Sequence, residues 1–375
     1  MEELWRMRSR DDEVSVEWIA SNEDLAEAAG GWGSVLTIDT EFVRTNTYYP
    51  MPGLYQIGDG QSVYLLDPLE ITEWKPFVDV LEDASVVKIM HACQEDSELI
   101  FFHLGVNSKN VFDTQFAQAF VSEDYSLSYA RLVERRLGVA LDKHETRSDW
   151  RARPLTDKQI DYAVEDVIYL EAIYRALSEE LQAANKQTWF ELEMQARADY
   201  QPVNPDLYYR GVKKAWQLSG VELGRLQHLC AWREITARKE NVPRNRVVWD
   251  QHLFQFAQIE RLSDGDVREA LPHAIARRYG ERLRSLFDKT PVQTLEPILT
   301  PLNSKQGAVV KLLRESGLVV AKAQQIAPEL ICRKKDLEAC VRHFGKTAQL
   351  SDHYDNWRSA LVGERFLSIL QSAQS

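Results

Sequence analysis

The stretch Val35-Leu36-Thr37-Ile38-Asp39-Thr40-Glu41-Phe42-Val43 constrains this chain more than any other. It is apolar enough to be buried, yet it carries two acids in alternate positions, and a strand reconciles those demands. Side chains alternate across a strand, so Asp39 and Glu41 share one side while Leu36, Ile38 and Phe42 face the other. Two adjacent carboxylates repel, and protons, water or cations must neutralise them. A divalent metal is the most economical answer. Alone, the stretch also reads as a strand end with two solvated acids, and further acids at suitable positions decide between the two.

At 375 residues the chain exceeds one typical domain, so two or three are expected. Cys93, Cys230, Cys332 and Cys340 show no C-x-x-C spacing, which points to a reducing compartment, buried thiols and no structural zinc. The N-terminus is charged without an apolar signal core and no run reaches the length of a membrane span, so a cytoplasmic protein without membrane partners is expected. The net charge of -12 conceals an asymmetry. Residues 1–200 hold 18 Lys and Arg against 38 Asp and Glu, and residues 201–375 hold 27 against 19, so an acidic half of -20 precedes a basic half of +8. Such a split suggests that one part collects cations and the other meets a polyanion.

In chain order, Ser21 or Asn22 caps a short helix over 21–30 ahead of the Asp39 strand. Residues 54–58 and 62–66 read as a hairpin around Gly58-Asp59-Gly60. A helix over 73–83 and a strand over 86–90 follow. Next comes a helix that starts near Asp96 and stops at Gly105. Asp96 alone reads as an ordinary helix-start acid favoured by the helix dipole. Val111–Thr114 is a strand leading into helices over 115–121 and 126–137. Residues 143–154 form a basic loop with Arg147, Arg151, Arg153 and Trp150. That loop is suited to holding phosphates and stacking a base, and Trp150 equally suits anchoring it to the core. Thr156-Asp157-Lys158-Gln159 is a capping box opening a helix through about Ala184. On it Tyr162 and Asp166 are four apart and share a face, with Asp161 and Glu165 turned to solvent. The order predicts a mixed sheet with helices on both faces. After the turn-rich Gln201-Pro202-Val203-Asn204-Pro205 everything reads as helix, with a second break near Thr290-Pro291.

Asp39 and Glu41 on the first strand, Asp96 after a strand-to-helix turn, and Tyr162 with Asp166 on a late helix together resemble the DEDD exonuclease superfamily, in the subgroup with tyrosine in its last motif. LTIDTEFVRTNTYYP, LLDPL, HACQEDSE, FDTQFA and SDWRARPLTDKQIDYAVEDVIYL are similar to ribonuclease D family segments, and AWREITARKENVPRN resembles the helicase-and-RNase-D C-terminal (HRDC) domain. The likeness spans nearly the whole chain, most closely over 35–170 and less so from 295 onward.

The resemblance implies an α/β ribonuclease H-like exonuclease domain over 1–200, a mixed sheet flanked by helices. Two all-α helical-bundle domains follow, an HRDC domain over 205–290 and an HRDC-like domain over 291–375. It implies a 3′-5′ exoribonuclease acting on precursor tRNA and other small structured RNAs, releasing 5′-mononucleotides, and working as a monomer. Asp39, Glu41, Asp96 and Asp166 become ligands of two divalent ions, Mg²⁺ or Mn²⁺. Such ions, roughly 3.5 to 4 Å apart, activate the nucleophile and stabilise the leaving oxygen. Tyr162 becomes the residue orienting the attacking water. Gln56, His91 and Trp150 are candidate substrate contacts, although His91 also suits a role closing its strand. Cys93 departs from an expected Gly or other small residue and reads as a tolerated small side chain. Two rivals remain: a DNA 3′-5′ exonuclease of the same fold and a catalytically silent RNA-binding module.

Overall fold

The computed structural model describes residues 14–141, 148–289 and 293–373. Arg147 of the basic loop, the Thr290-Pro291 break and the charged N-terminus up to residue 13 lie outside the described residues. Packing groups the described chain into two compact units. One comprises residues 14–43, 52–141, 148–200 and 302–373; the other comprises 44–51, 201–289 and 293–301. No helix among the described residues is long and apolar enough to cross a membrane.

The first unit is built on a six-stranded sheet: β1 (Ser15–Ile19), β2 (Val35–Val43), β3 (Met51–Gly58), β4 (Ser62–Leu66), β5 (Val87–Met90) and β6 (Val111–Asp113), in the order β1-β4-β3-β2-β5-β6. β3 and β4 pair antiparallel as the expected hairpin, and β1–β4, β2–β5 and β5–β6 pair parallel, which makes the sheet mixed. Strand β2 sits inside the sheet with Leu36 and Ile38 fully buried in the main core and Phe42 packed against it. β1 is absent from the sequence reading. Its Val16 and Trp18 are 43% and 40% exposed, so this edge strand lacks a clean buried alternation.

The helices at the site follow their local signals. Helix α1 (Asn22–Gly31) is capped by Ser21, and α2 (Lys75–Glu82) precedes β5. α3 (Gln94–Leu104) ends at a left-handed Gly105, and α4 (Thr114–Val121) is capped by the Asp113 carboxylate. α5 (Tyr129–Leu137) is followed by α6 (Asp157–Ile168), which carries the expected Thr156–Gln159 capping box. The single helix expected through Ala184 is two, since Tyr169 separates α6 from α7 (Leu170–Ala183). Each half serves a different core. Ala163 and Val167 pack with Leu54, Leu65 and Trp150, whereas Ile173, Leu177 and Leu181 join the main core.

The C-terminal helices Ser304–Ala323, Lys334–Thr347 and Trp357–Ser372 share that main core, through Leu313, Leu337, Phe344 and Phe366. Polar contacts fasten them. The Ala327 amide donates to the Ala119 carbonyl at 2.7 Å, and Lys186 Nζ donates to the Phe120 and Gln324 carbonyls at 2.9 and 2.7 Å. Trp357 stacks on Trp189 of helix α8 (Gln187–Ala198) at 4.9 Å, and the buried Arg358 pairs with Glu193 at 2.6 Å.

The second unit is helical, centred on α9 (Gly220–Glu240), which buries Leu223, Leu226, Leu229 and Trp232. It also includes residues 44–51, the segment leaving β2. The fully buried Glu234 carboxylate accepts a hydrogen bond from the Tyr48 hydroxyl and pairs with Arg238 and, at 2.6 Å, with Arg244. Asn241, in the left-handed conformation ending α9, accepts through Oδ1 from the Tyr48 and Tyr49 amides at 3.0 Å each.

Candidate active site

Three elements of the first unit bring the acids together. β2 presents Asp39 and Glu41 on one side, and α6, packed on β2, supplies Asp166. Carboxylate oxygens of these three residues lie within 4.8 Å of one another. Asp96, in the first turn of α3, is outside that group of three, yet its charge acts on Asp39, Glu41 and Asp166. The Thr40 hydroxyl donates to Asp96 Oδ1 at 2.5 Å. Thr40 lies between the two acids on β2, so the strand that carries Asp39 and Glu41 also supplies the hydroxyl that steadies Asp96.

The electrostatics are those of acids lacking counter-charge. Burial, then the charges of Asp96, Asp166 and Glu41, push the Asp39 carboxyl well above the usual carboxylate range. Burial and the charges of Asp166 and Asp96 raise Glu41 to about 9. Asp166 is raised to about 7 by burial, against the opposing hydrogen bond from Tyr162. Asp96 is raised to about 6 by burial, against that from Thr40. Such acids ionise together only beside positive charge. Converging hard oxygen donors with this unmet demand fit a divalent cation.

Tyr162 shares the α6 face with Asp166 and hydrogen-bonds to its carboxylate. Burial and the charges of Asp166, Glu41 and Asp39 push its phenol well up. The group is therefore a neutral hydroxyl, able to donate and accept hydrogen bonds.

Of the three candidate substrate contacts, His91 and Trp150 are engaged within the protein. The His91 Nε2–H donates to the Leu127 carbonyl at 3.1 Å, and Nδ1 meets the Thr114 hydroxyl at 2.9 Å. Burial lowers its pKa, keeping the ring neutral. Trp150 is 1% exposed and packs with Leu54, Leu65 and Val167, its ring 6.0 Å from that of Tyr162. Gly53 makes room for it, since a Cβ there would lie 2.6 Å from Trp150 Cβ. Gln56 is fully buried, with neither amide atom partnered among the described residues. The described arginines of the basic loop also serve the framework. Arg153 pairs with Asp67 at 2.6 Å and donates to the Gly53 carbonyl at 2.8 Å, and Arg151 donates to the Pro52 carbonyl at 2.7 Å. Cys93 is fully buried, and burial lifts its thiol well above the usual range, so it offers no thiolate nucleophile.

Sequence reasoning missed three supporting groups. Thr40 is the first. Tyr129 of α5 is the second; its hydroxyl donates to the Glu165 carbonyl at 2.8 Å, beside Asp166. The third is Asp113, which caps α4 and also accepts from the Ala92 amide at 2.9 Å, fixing the turn ahead of Asp96 where Ala92 has φ 56°. The capping part of the Asp113 role is visible in FDTQFA; the reach to Ala92 is not.

A family profile described as 3′-5′ exonuclease matches residues 16–182, and one described as HRDC domain matches residues 222–286. Ribonuclease D of Pseudomonas paraeruginosa is 36% identical over 371 residues, covering 96% of this chain and 98% of that protein. Ribonuclease D of Escherichia coli is 33% identical over 361 residues, covering 92% and 95% respectively. The crystal structure of Escherichia coli RNase D, described as an exoribonuclease involved in structured RNA processing, superposes with a TM-score of 0.86 at 32% identity, covering 96% of this chain and 99% of that one. With its acidic cluster on β2, α3 and α6 and its relatives matched over nearly their whole length, the chain belongs to the ribonuclease D family.

Proposed function

We propose that this protein removes nucleotides one at a time from RNA 3′ ends by metal-dependent phosphodiester hydrolysis, releasing 5′-mononucleotides. The observation that carries the reading is the convergence of Asp39, Glu41 and Asp166, with Asp96 alongside, in a chain of the ribonuclease D family. Asp39, Glu41, Asp96 and Asp166 are the residues that would hold two divalent ions, Mg²⁺ or Mn²⁺. When bound, such ions stabilise negative charge on attacking and leaving oxygens. The chain's own residues do the rest. The four carboxylates counter the ionic charge, and their burial on a rigid strand and two helices limits how far they can shift. The Tyr162 hydroxyl, tied to Asp166, orients the attacking water. Thr40 holds the Asp96 carboxylate in place. Gln56, His91 and Trp150 are assigned to the walls of the site rather than to direct contact with RNA.

The substrates we propose are precursor tRNA and other small structured RNAs, processed by a cytoplasmic monomer. Residues 205–290 are proposed as the HRDC domain and 291–375 as an HRDC-like helical segment whose helices pack into the core of the first unit, with the basic character of this half serving to hold the RNA body. The test is incubation of purified protein with a 3′-extended tRNA in Mg²⁺, with and without chelator, beside a matched DNA strand. Chelator-sensitive release of 5′-mononucleotides from the RNA is expected. Asp39→Asn should slow it by about 10²–10³-fold or more, as when a charge-stabilising group leaves a transition-state site, with RNA binding retained. Full activity of that variant overturns the metal assignment.

A further inference from the structure

Within the helical unit, a cavity of about 640 Å³ lies beside the 3-10 segment Pro205–Gly211 and the helix Asp250–Ala257, in the size range that takes a small molecule or one nucleotide. Lys213, Lys214, Arg233 and Arg244 line it, together with Tyr208 and Trp249, while Asp250 is its one acid. Arg233 is the unusual member. Its side chain is 2% exposed, and Nη1 donates to the Val248 carbonyl at 3.2 Å and to Asp250. Nε and Nη2 have no hydrogen-bond partner among the described residues, although the guanidinium lies over the Tyr208 ring, 5.2 Å from its centroid. A buried guanidinium with idle donors is costly, and an anion in the cavity meets that need. Lys213 and Lys214 are exposed, and no ion pair involves them among the described residues. Lys214 has φ 69°, a left-handed conformation uncommon for a residue with a side chain. Trp249 is 52% exposed, which leaves a large ring open to stacking.

We infer that this cavity binds one phosphorylated nucleoside unit, its phosphate at Lys213, Lys214 and Arg233 and its base against Trp249. The inference rests on the RNA-directed function proposed above and adds an anchoring subsite on the helical unit. The phosphorylated nucleoside has two possible sources, an unpaired nucleotide within the RNA chain and a free mononucleotide product.

The test uses the full chain carrying Asp39→Asn, in chelator, so that binding is read without hydrolysis. A 3′-extended tRNA and 5′-AMP are titrated separately into this protein and into versions that also carry Lys213→Ala, Lys214→Ala and Trp249→Ala, singly and together. The triple variant should lose at least about tenfold in RNA affinity and flatten the salt dependence by roughly 0.7–0.9 in logarithmic slope, the share of one neutralised phosphate. Trp249→Phe should retain most of the affinity that Trp249→Ala loses. Saturable 5′-AMP binding that disappears in the triple variant assigns the site to mononucleotides as well; RNA binding without AMP binding assigns it to the chain. Unchanged affinity of the triple variant for both probes overturns the inference. Thermal melting checks that the variants are folded. Chelator-sensitive RNA hydrolysis by the unaltered protein is scored separately, so failure of the nuclease reading and failure of the cavity remain distinguishable.

Discussion

Tyr162 and the four acids lend themselves to different measurements. The phenol sits on Asp166 without belonging to the carboxylate set, so Tyr162→Phe removes one hydroxyl and leaves the donors in place. Turnover should fall by about a hundredfold, the size of effect that follows from a misplaced reactant, while KM stays within about twofold. Steady-state kinetics on a 3′-extended RNA read both, and a change confined to KM rules out the orienting role. The acids govern stability. Each binds its proton more tightly in the folded chain than in the unfolded one, where carboxyls titrate near 4. Their contribution to folding is therefore full below about pH 4 and is lost as pH rises through the folded values of about 6 for Asp96, 7 for Asp166 and 9 for Glu41. Metal-free protein should melt at steadily lower temperature from pH 5 to pH 9, and saturating Mg²⁺ should raise the melting temperature more at pH 9 than at pH 5. A metal-free melting temperature that climbs over this range contradicts the burial of the cluster.

Helix α9 offers a test at the level of elements. Removing its buried Glu234 leaves Arg238 and Arg244 without their acid, and Glu234→Ala should cost about 3 kcal/mol, whereas Tyr48→Phe, which removes one hydrogen bond, should cost about 1 kcal/mol. Chemical denaturation of the two variants measures the difference, and equal costs mean the ion pairs add nothing. Where an element's cause is local, the sequence discloses it. The β2 alternation, the Thr156–Gln159 box and the Gly105 stop all sit within a few residues of what they determine. Elements whose cause is remote leave no such mark. β1 is held by pairing along β4 and buries only Ile19 of its apolar residues, and the break at Tyr169 falls where the chain passes from one core to the other. The site follows the same division. Its acids and tyrosine stand at recognisable spacings, but the Thr40–Asp96 bond spans 56 residues. For Trp150 and His91 the sequence leaves a substrate contact and a framework role both open, and packing favours the framework role.

At the scale of the molecule, the two units differ in how they depend on the ends of the chain. The C-terminal helices complete the core that contains the sheet, with Leu313, Leu337 and Phe366 in the same cluster as Leu36 and Phe120. Truncation after residue 301 should therefore leave the nuclease unit insoluble or without a cooperative thermal transition, as judged by sedimentation and calorimetry. A truncated chain that melts like the intact one shows that those helices are dispensable. The helical unit has the opposite dependence, because it takes in residues 44–51, immediately after the strand that bears Asp39 and Glu41. Tyr48 precedes its acid Glu234 by 186 residues. During synthesis at about 5–20 residues per second, Tyr48 is out of the ribosome for roughly ten to forty seconds before that partner exists. For that interval residues 44–51 lack Glu234 and Asn241, and a nascent chain stalled anywhere before α9 carries the strand of Asp39 and Glu41 with neither of those partners for Tyr48.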